Sequence, residues 1–418
     1  MTYMAQTQKI HSKVLANGIK IIFVENPTAD IISGRIFFKD AGVRGTPLEK
    51  AGLAHLLASV ITKGTQELSS AQIAERIESV GASLGADTAA DYFLISLKTV
   101  SRDFREIFKL AGEILRSPTF PQKEFELEQY LTLQDIRSQQ EQPFNVAYNQ
   151  LRQLIYGAHP YGVSVLGTHE TVSKLTCQDL QEFHQNYFHP NKMVVSISGR
   201  LEPEAAFQLV EETFGDWQNS APSIANPEIP EVSSKPESGT ITQDTQQSIV
   251  MLGYLTPSVY KPDFFPLKLL NTYLGNGLSS RLFVELREKK GLAYDVSSFY
   301  PTRVDNSQFV VYMGTAPENT EVALSGLRQE TERLCQVELS QEELQTAKNK
   351  LLGQYALGKQ TNSEIAQIYG WYETLNLGVD FDLSFQEEVN KVTPQFAKET
   401  ACRYFAEPYI SVVGPVEE

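Results

Sequence analysis

The sequence predicts an α+β protein made of two homologous domains, each with a mostly antiparallel β-sheet packed with helices. Short alternating apolar stretches bounded by turn residues indicate strands that follow one another along the chain. Longer segments with helical periodicity come in separate groups, as in folds where helices are segregated from an antiparallel sheet. The same order of elements recurs in the second half, and 418 residues are enough for two domains.

In the first half, Asn17-Gly18 predicts a tight turn before a strand at 19–24, and a second strand follows at 31–39. Thr46 predicts the N-cap of a helix that begins at Pro47, a position where no amide hydrogen is needed. The remaining predicted elements are a helix capped by Ser69 and ended by Gly81, paired strands at 82–86 and 92–100, helices at about 103–115, 122–139, 143–156 and 177–187, a strand at 193–198, and a helix at 203–214.

The segment 217–239 is rich in proline and serine and has no sustained period, so we interpret it as a linker. The predicted domains are therefore residues 1–216 and 240–418. Matching residues recur across this boundary at offsets of 215 to 218: Leu175-Thr176 with Val392-Thr393, Tyr187-Phe188 with Tyr404-Phe405, Pro190 with Pro408, and Gly199 with Gly414. This spacing indicates a duplicated domain rather than a short-period solenoid.

The composition excludes several classes of partner. The formal net charge of −15 argues against nucleic acid and anionic membranes. Three widely spaced cysteines without a C-x-x-C pair suit a reducing compartment. Residues 1–12 are polar, without a signal-peptide pattern, and no apolar stretch reaches the roughly 18–20 residues of a membrane helix. We therefore expect a soluble cytoplasmic protein.

The most informative segment is Gly52-Leu53-Ala54-His55, which is followed by Lys63-Gly64-Thr65. It resembles the inverted zinc motif of the pitrilysin/insulinase family of zinc peptidases, H-x-x-E-H within G-L-A-H-x-x-E-H-x-x-x-x-G-T. In that motif two imidazoles one turn apart bind zinc, and the glutamate polarises the zinc-bound water. The resemblance runs along nearly the whole chain and implies two homologous domains forming a half-clamshell.

This chain departs from the motif at the positions that carry the chemistry. Ala58 stands in place of the general base and Ser59 in place of the second imidazole. The resemblance places the remote carboxylate ligand near Asp135, so His55 and Asp135 fall short of the three protein ligands of a catalytic zinc. The asparagine that usually anchors substrate backbone is also missing, since Gly85-Ala86 occupies its place. We therefore expect no metal in this chain, and a lone His55 is otherwise a structural residue.

Residues 277–294 are similar to a second signature of the family, G-x-x-S-R-L-F-x-x-x-R-E-x-x-G-L-A-Y. Its last arginine and its tyrosine line the closed chamber opposite the zinc, and they correspond to Arg287 and Tyr294. Both side chains donate hydrogen bonds to a peptide carbonyl or a developing oxyanion. We expect Arg287 at the end of a helix and Tyr294 at the start of a strand, separated by the Gly291 stop. Outside the family context they are a surface arginine on a charged helix end and a tyrosine half-buried in a sheet. A phosphate loop at Gly275-x-Gly277 is disfavoured, because a helical stretch rather than a strand precedes it.

The resemblance implies a non-catalytic subunit of a two-chain zinc peptidase, similar to mitochondrial processing peptidase. A homologous partner would supply zinc and H-x-x-E-H, while this chain would close the chamber over unfolded peptides and offer Arg287 and Tyr294. One alternative is a non-enzymatic structural or peptide-binding protein, like the respiratory-complex core subunits of this fold. Another is an active peptidase with a rearranged metal site, which the ligand count disfavours.

Overall fold

The computed structural model describes residues 9–218 and 229–415. The strands are β1 (Ile10–Val14), β2 (Lys20–Glu25), β3 (Ile31–Lys39), β4 (Ser83–Thr88), β5 (Tyr92–Val100), β6 (Met193–Gly199), β7 (Ser238–Thr242), β8 (Ser248–Thr256), β9 (Asp295–Phe299), β10 (Ser307–Thr315) and β11 (Tyr409–Gly414). The helices are α1 (Leu53–Val60), α2 (Ser70–Glu78), α3 (Phe104–Arg116), α4 (Gln122–Glu141), α5 (Pro143–Tyr156), α6 (His169–Val172), α7 (Cys177–Tyr187), α8 (Pro203–Phe214), α9 (Phe264–Gly275), α10 (Thr320–Gln336), α11 (Gln341–Leu357), α12 (Asn362–Thr374), α13 (Phe381–Lys391) and α14 (Pro394–Tyr404).

Apart from the additional edge strand β1 in the first, the two sheets have the same topology, which confirms the predicted α+β duplication. One sheet has the order β1-β2-β6-β3-β5-β4 and the other β7-β11-β8-β10-β9. In each, one pair is parallel (β2 with β6, β7 with β11) and the remaining neighbours are antiparallel. The central strands β6 and β8 are almost wholly buried, as expected when helices cover both faces of a sheet. Among the described residues, no helix combines the length and apolarity of a membrane span.

The chain forms two compact units, and each takes one helix from the other half of the sequence. The first unit holds the described residues up to Asp135, those from Val165 to the gap, and Leu357–Asp380. The second holds Ile136–Ser164, the described residues from Ile229 to Ala356, and those from Phe381 onward. These units differ from the predicted ranges 1–216 and 240–418 by the two exchanged segments. Part of the predicted linker, 219–228, lies outside the described residues.

The exchanged helices pack closely on the sheets that receive them. In the first unit α12 lies on β3 and β6, where the Asn362 Nδ2 donates to the Ile31 carbonyl at 2.7 Å. In the second unit α5 lies on β8 and β11, with Leu151 and Ile155 against the bare backbone of Gly253. A side chain at Gly253 would collide with these residues, so the sheet surface there is shaped for α5.

Two sequence interpretations need correction. The His55 helix begins at Leu53 rather than Pro47, because Gly52 adopts a left-handed φ of 94° that ends the preceding 3-10 turn. The Thr46 hydroxyl donates to the Gly42 carbonyl instead of capping a helix. The spacing of the cysteines also gave no sign of pairing, yet Cys335 on α10 and Cys402 on α14 form a disulfide.

Candidate functional site

His55 lies in the middle of α1, on the side of the helix that is only half-buried. Ser59 follows one turn later on the same side, and its hydroxyl donates to the His55 carbonyl at 3.2 Å. Ala58 is 6% exposed and belongs to the buried side of the helix. Ala58, in place of the general base, thus places a methyl group in the core. The Ser59 hydroxyl is hydrogen-bonded to the backbone of its own helix.

Carboxylates surround His55 without binding it. Burial lowers the pKa of His55, and the negative charges of Asp87, Asp135 and Glu128 oppose that effect. Glu128 is itself paired with the Lys63 ammonium, 2.9 Å away. No hydrogen bond joins a described side chain to the half-buried His55 imidazole, and its lowered pKa favours the neutral ring near pH 7.

The donors around His55 do not fit a zinc ion. A catalytic zinc takes three nitrogen, sulfur or carboxylate ligands from the protein. Within residues 9–218 and 229–415, no group of three or more His, Cys, Asp and Glu side chains is arranged to hold a metal ion. Asp135 lies exposed on α4. The motif positions three and four residues after His55 hold Ala58 and Ser59, which are not zinc ligands. We therefore derive no metal-dependent step from this chain.

Arg287 lies in a π-helix, Phe283–Lys289, a wide helical form that is uncommon and often marks functional sites. Its guanidinium carbon lies 5.0 Å from the centre of the Phe283 ring, within the range of a cation–π contact. The side chain is exposed. The Phe283 ring therefore contacts one face of the guanidinium, and the N–H donors of Arg287 stay available to a ligand.

Tyr294 directly precedes the edge strand β9, as the sequence predicted. Its amide donates to the Gly314 carbonyl at 2.9 Å, which fixes the backbone, while the side chain is 59% exposed. Gly291 ends the helical segment with a φ of 65°, which a residue with a side chain adopts at a cost. The predicted placement of Arg287 at a helix end and of Tyr294 at a strand start is therefore correct, and both side chains face solvent.

A buried ion pair holds the segment that carries Arg287. Arg281 Nε lies 2.5 Å from a carboxylate oxygen of Glu330 on α10, and both side chains are largely buried. Glu285 lies 3.8 Å from the same guanidinium. Arg281 was visible in the sequence as part of the signature, whereas Glu330 carried no signal, because its role depends on where α10 packs. Asp87 and Glu128 near His55 were missed for the same reason.

The duplicated units, together with a zinc-motif helix that has kept one ligand position, define a protein with a metallopeptidase framework and a degenerate metal site. A profile described as "Insulinase (Peptidase family M16)" matches residues 20–169, and one described as "Peptidase M16 inactive domain" matches residues 174–351. The chain belongs to peptidase family M16.

Relatives and solved structures agree with this assignment. An uncharacterized zinc protease of Bacillus subtilis, YmxG, is 25% identical over 409 residues, covering 96% of this chain and 97% of the relative. One from Mycobacterium bovis is 27% identical over 405 residues, covering 96% and 92%. A solved peptidase M16 inactive domain from Pseudomonas fluorescens has a TM-score of 0.90 at 25% identity, covering 98% of each chain. A Helicobacter pylori protease, at 23% identity and a TM-score of 0.90, covers 98% and 100% and shares the fold.

Proposed function

We propose that this chain is the non-catalytic subunit of a two-chain zinc peptidase. A homologous partner would carry the zinc ion and the complete H-x-x-E-H motif. This chain would contribute Arg287 and Tyr294, which bind the carbonyl of an unfolded peptide substrate and stabilise the oxyanion formed when water attacks it. The partner and the substrate are both parts of the proposal.

The observation that carries the proposal is the contrast between the two signatures within one chain. At the first, the base position is a buried alanine and the second imidazole is a serine bonded to its own helix. At the second, Arg287 and Tyr294 are both exposed, one on a π-helix and one directly before a strand. A chain with usable oxyanion donors and no hydrolytic centre suits a subunit that assists another.

The test is a steady-state peptidase assay of the native complex, copurified with its partner, on an unstructured peptide. Arg287→Ala and Tyr294→Phe should each lower kcat while the zinc content and the yield of complex stay unchanged. Losing one preorganised oxyanion donor typically costs about a hundredfold to a thousandfold in rate. Positioning spread over a large binding surface reduces that, so we expect at least about tenfold.

His55→Ala is the matched control, because His55 touches no metal in this proposal and its loss should leave turnover within about twofold. Elemental analysis of the separate chain after dialysis should find no stoichiometric zinc. The proposal fails if His55→Ala abolishes activity while Arg287→Ala and Tyr294→Phe retain it, or if the separate chain keeps one tightly bound zinc.

A second candidate is a non-enzymatic peptide-binding protein, and the free edge of β4 favours it. β4 pairs only with β5, and no described residue lies within 4 Å of the position a side chain on Gly85 would take. An exposed strand edge binds extended peptides through main-chain hydrogen bonds. Peptide binding by the separate chain, without turnover in any copurified complex, would support this candidate over the first.

A further inference from the structure

One guanidinium of the second unit lacks a counter-ion within the described part of the chain. Arg152 on α5 lies over the Tyr148 ring, with its guanidinium carbon 5.1 Å from the ring centre. Its Nη2 donates to the Asn149 side chain, while its Nε is buried and has no hydrogen-bond partner. Among the described residues, no carboxylate forms an ion pair with Arg152. A buried donor of a charged group that makes no hydrogen bond lowers the stability of the folded state, because its lost hydration is not replaced.

A second guanidinium belongs to the same cluster. Arg303 lies over the Tyr161 ring at 5.3 Å, and its Nη1 donates to the Thr302 carbonyl at 3.3 Å. Tyr161 is in edge contact with Tyr156, their centres 5.6 Å apart, and Tyr156 follows Arg152 by one helical turn. Arg152 and Arg303 are close enough for their charges to interact. In the described part of the chain Arg303 also has no ion pair with a carboxylate.

A third cation adds to the positive charge. The Lys268 ammonium donates to the Tyr300 carbonyl at 2.8 Å and lies within 5.3 Å of two aromatic ring centres. Burial, with a smaller contribution from the charge of Arg303, lowers the pKa of Lys268 to about 8. Burial and the same Arg303 charge also lower the pKa of Arg152. Arg303 therefore repels both Arg152 and Lys268 across a poorly solvated region.

The nearby acidic group does not neutralise them. Asp305 lies 3.6 Å from the His159 imidazole, and that ring accepts a hydrogen bond from the Tyr161 amide through Nδ1. Among the described residues, no carboxylate is paired with any of the three cations, so the cluster carries an excess of positive charge. An added anion would remove the repulsion and satisfy the open donors.

We propose that Arg152 and Arg303 form a binding site for an oxyanion, the phosphate or carboxylate group of a small ligand. Guanidinium groups present planar forks of N–H donors that match the oxygens of either group. Both side chains are half-buried, as are Tyr148 and Thr302, so the cluster reaches the protein surface. The tyrosine rings offer an apolar surface to the rest of the ligand. This site is separate from the residues of the proposed function.

The test measures thermal unfolding of the full chain with inorganic phosphate, and in a second arm with malonate. At about ten times its Kd, a bound anion should raise Tm by roughly 3 °C. Arg152→Met and Arg303→Gln should each remove that shift. Arg328→Met is the matched control, because Arg328 is an exposed arginine already paired with Glu332, 3.2 Å away. A larger shift with phosphate than with malonate would assign the ligand to the phosphates, and the reverse would assign it to the carboxylates.

The structure also predicts the behaviour without ligand. If the cationic cluster is uncompensated without a bound anion, Arg152→Met should have a Tm at least equal to that of the unmodified protein, because the substitution removes one of the charges. Equal Tm shifts with phosphate and malonate in the unmodified protein and in all three variants would indicate general salt stabilisation and overturn the proposal. A lower Tm for Arg152→Met with an unchanged phosphate shift would make the arginine a purely structural residue, with the same consequence.

Discussion

The outer edges of the two sheets are equivalent in topology but differ in access. β4 ends the first sheet, and the Ala89 amide donates to the Tyr92 carbonyl at its hairpin, so by alternation Leu84 and Ala86 direct their backbone groups outward. β9 ends the second sheet, where the Ser297 hydroxyl donates to the Gly275 carbonyl at 2.7 Å.

The end of α9 covers β9. A side chain on Gly275 would come within 2.1 Å of the Ser298 amide nitrogen, so α9 reaches the strand only because that residue is glycine. Covered edges do not accept further strands, whereas open ones do. Under the proposed functions, we therefore expect strand addition at the first unit, whereas the second unit would offer the side chains of Arg287 and Tyr294 instead of backbone.

The largest effect is expected from the disulfide, which stabilises only the second unit. Cys335 and Cys402 are 67 residues apart. Closing a loop of that length lowers the conformational entropy of the unfolded chain, which stabilises the folded state by up to about 4 kcal/mol. Cys402→Ser, or reduction with a dithiol, should therefore lower the free energy of unfolding measured in urea. Cys177→Ser is the control, since that thiol is free. An unchanged midpoint after complete reduction would contradict this prediction.

The covered edge itself is tested by Gly275→Ala. The added methyl group must push α9 away from β9, which should cost about 3 kcal/mol of unfolding free energy. Gly85→Ala on the open edge is the matched substitution, because its methyl group meets only solvent, and we expect a change within about 0.5 kcal/mol. Urea unfolding of the two variants decides the matter. Similar losses at both positions would remove the distinction between the edges.

Acid should destabilise the first unit through His184. The side chain is partly buried, its Nε2 lies 2.7 Å from the Leu115 carbonyl and donates to it, and burial lowers its pKa to about 4. The unfolded chain therefore takes up a proton before the folded one as pH falls below about 6.5, and stability is lost until the folded pKa is reached. We expect a loss of about 2 kcal/mol at pH of about 5. In urea melts at both pH values, His184→Gln, which keeps a donor, should lose this component, and an identical pH dependence would refute the assignment.

The smallest effect concerns peptide binding at β4. Ala86→Pro removes an outward amide hydrogen while leaving the ladder to β5 intact, because proline is tolerated at a free strand edge. Fluorescence anisotropy with a labelled unstructured peptide should show at least about tenfold weaker binding by the separate chain. Circular dichroism serves to verify folding. Unchanged affinity would mean that the open edge of β4 is not used.

The sequence was sufficient for the features that depend on local chemistry. Capping by Ser69 with Gln72, the turn at Gly18 and the positions of Arg287 and Tyr294 all follow from residue type and spacing. The start of α1 was misplaced because Thr46 and Pro47 satisfy a capping rule that the left-handed Gly52 overrides.

Long-range features could not be predicted. The disulfide, the Arg281–Glu330 pair and the placement of Asp87 and Glu128 near His55 bring together residues whose separation in sequence contains no information about contact. The exchange of helices escaped detection for a related reason, since α5 and α12 have the same amphipathic patterns whichever sheet they cover. The roles of Arg287, Tyr294 and His55 stay predictions until the variants are assayed.

Because α5 and α12 are exchanged, each half of the sequence needs the other half to complete its structural unit. Neither 1–233 nor 234–418 encodes a complete unit, because each fragment lacks the helix that covers part of its own sheet. The fragments expressed separately should be poorly folded, and coexpressed they should reassemble without a covalent link. Gene duplication therefore produced two mutually dependent modules rather than two autonomous ones, and fission of such a gene would be tolerated only if both products were made together.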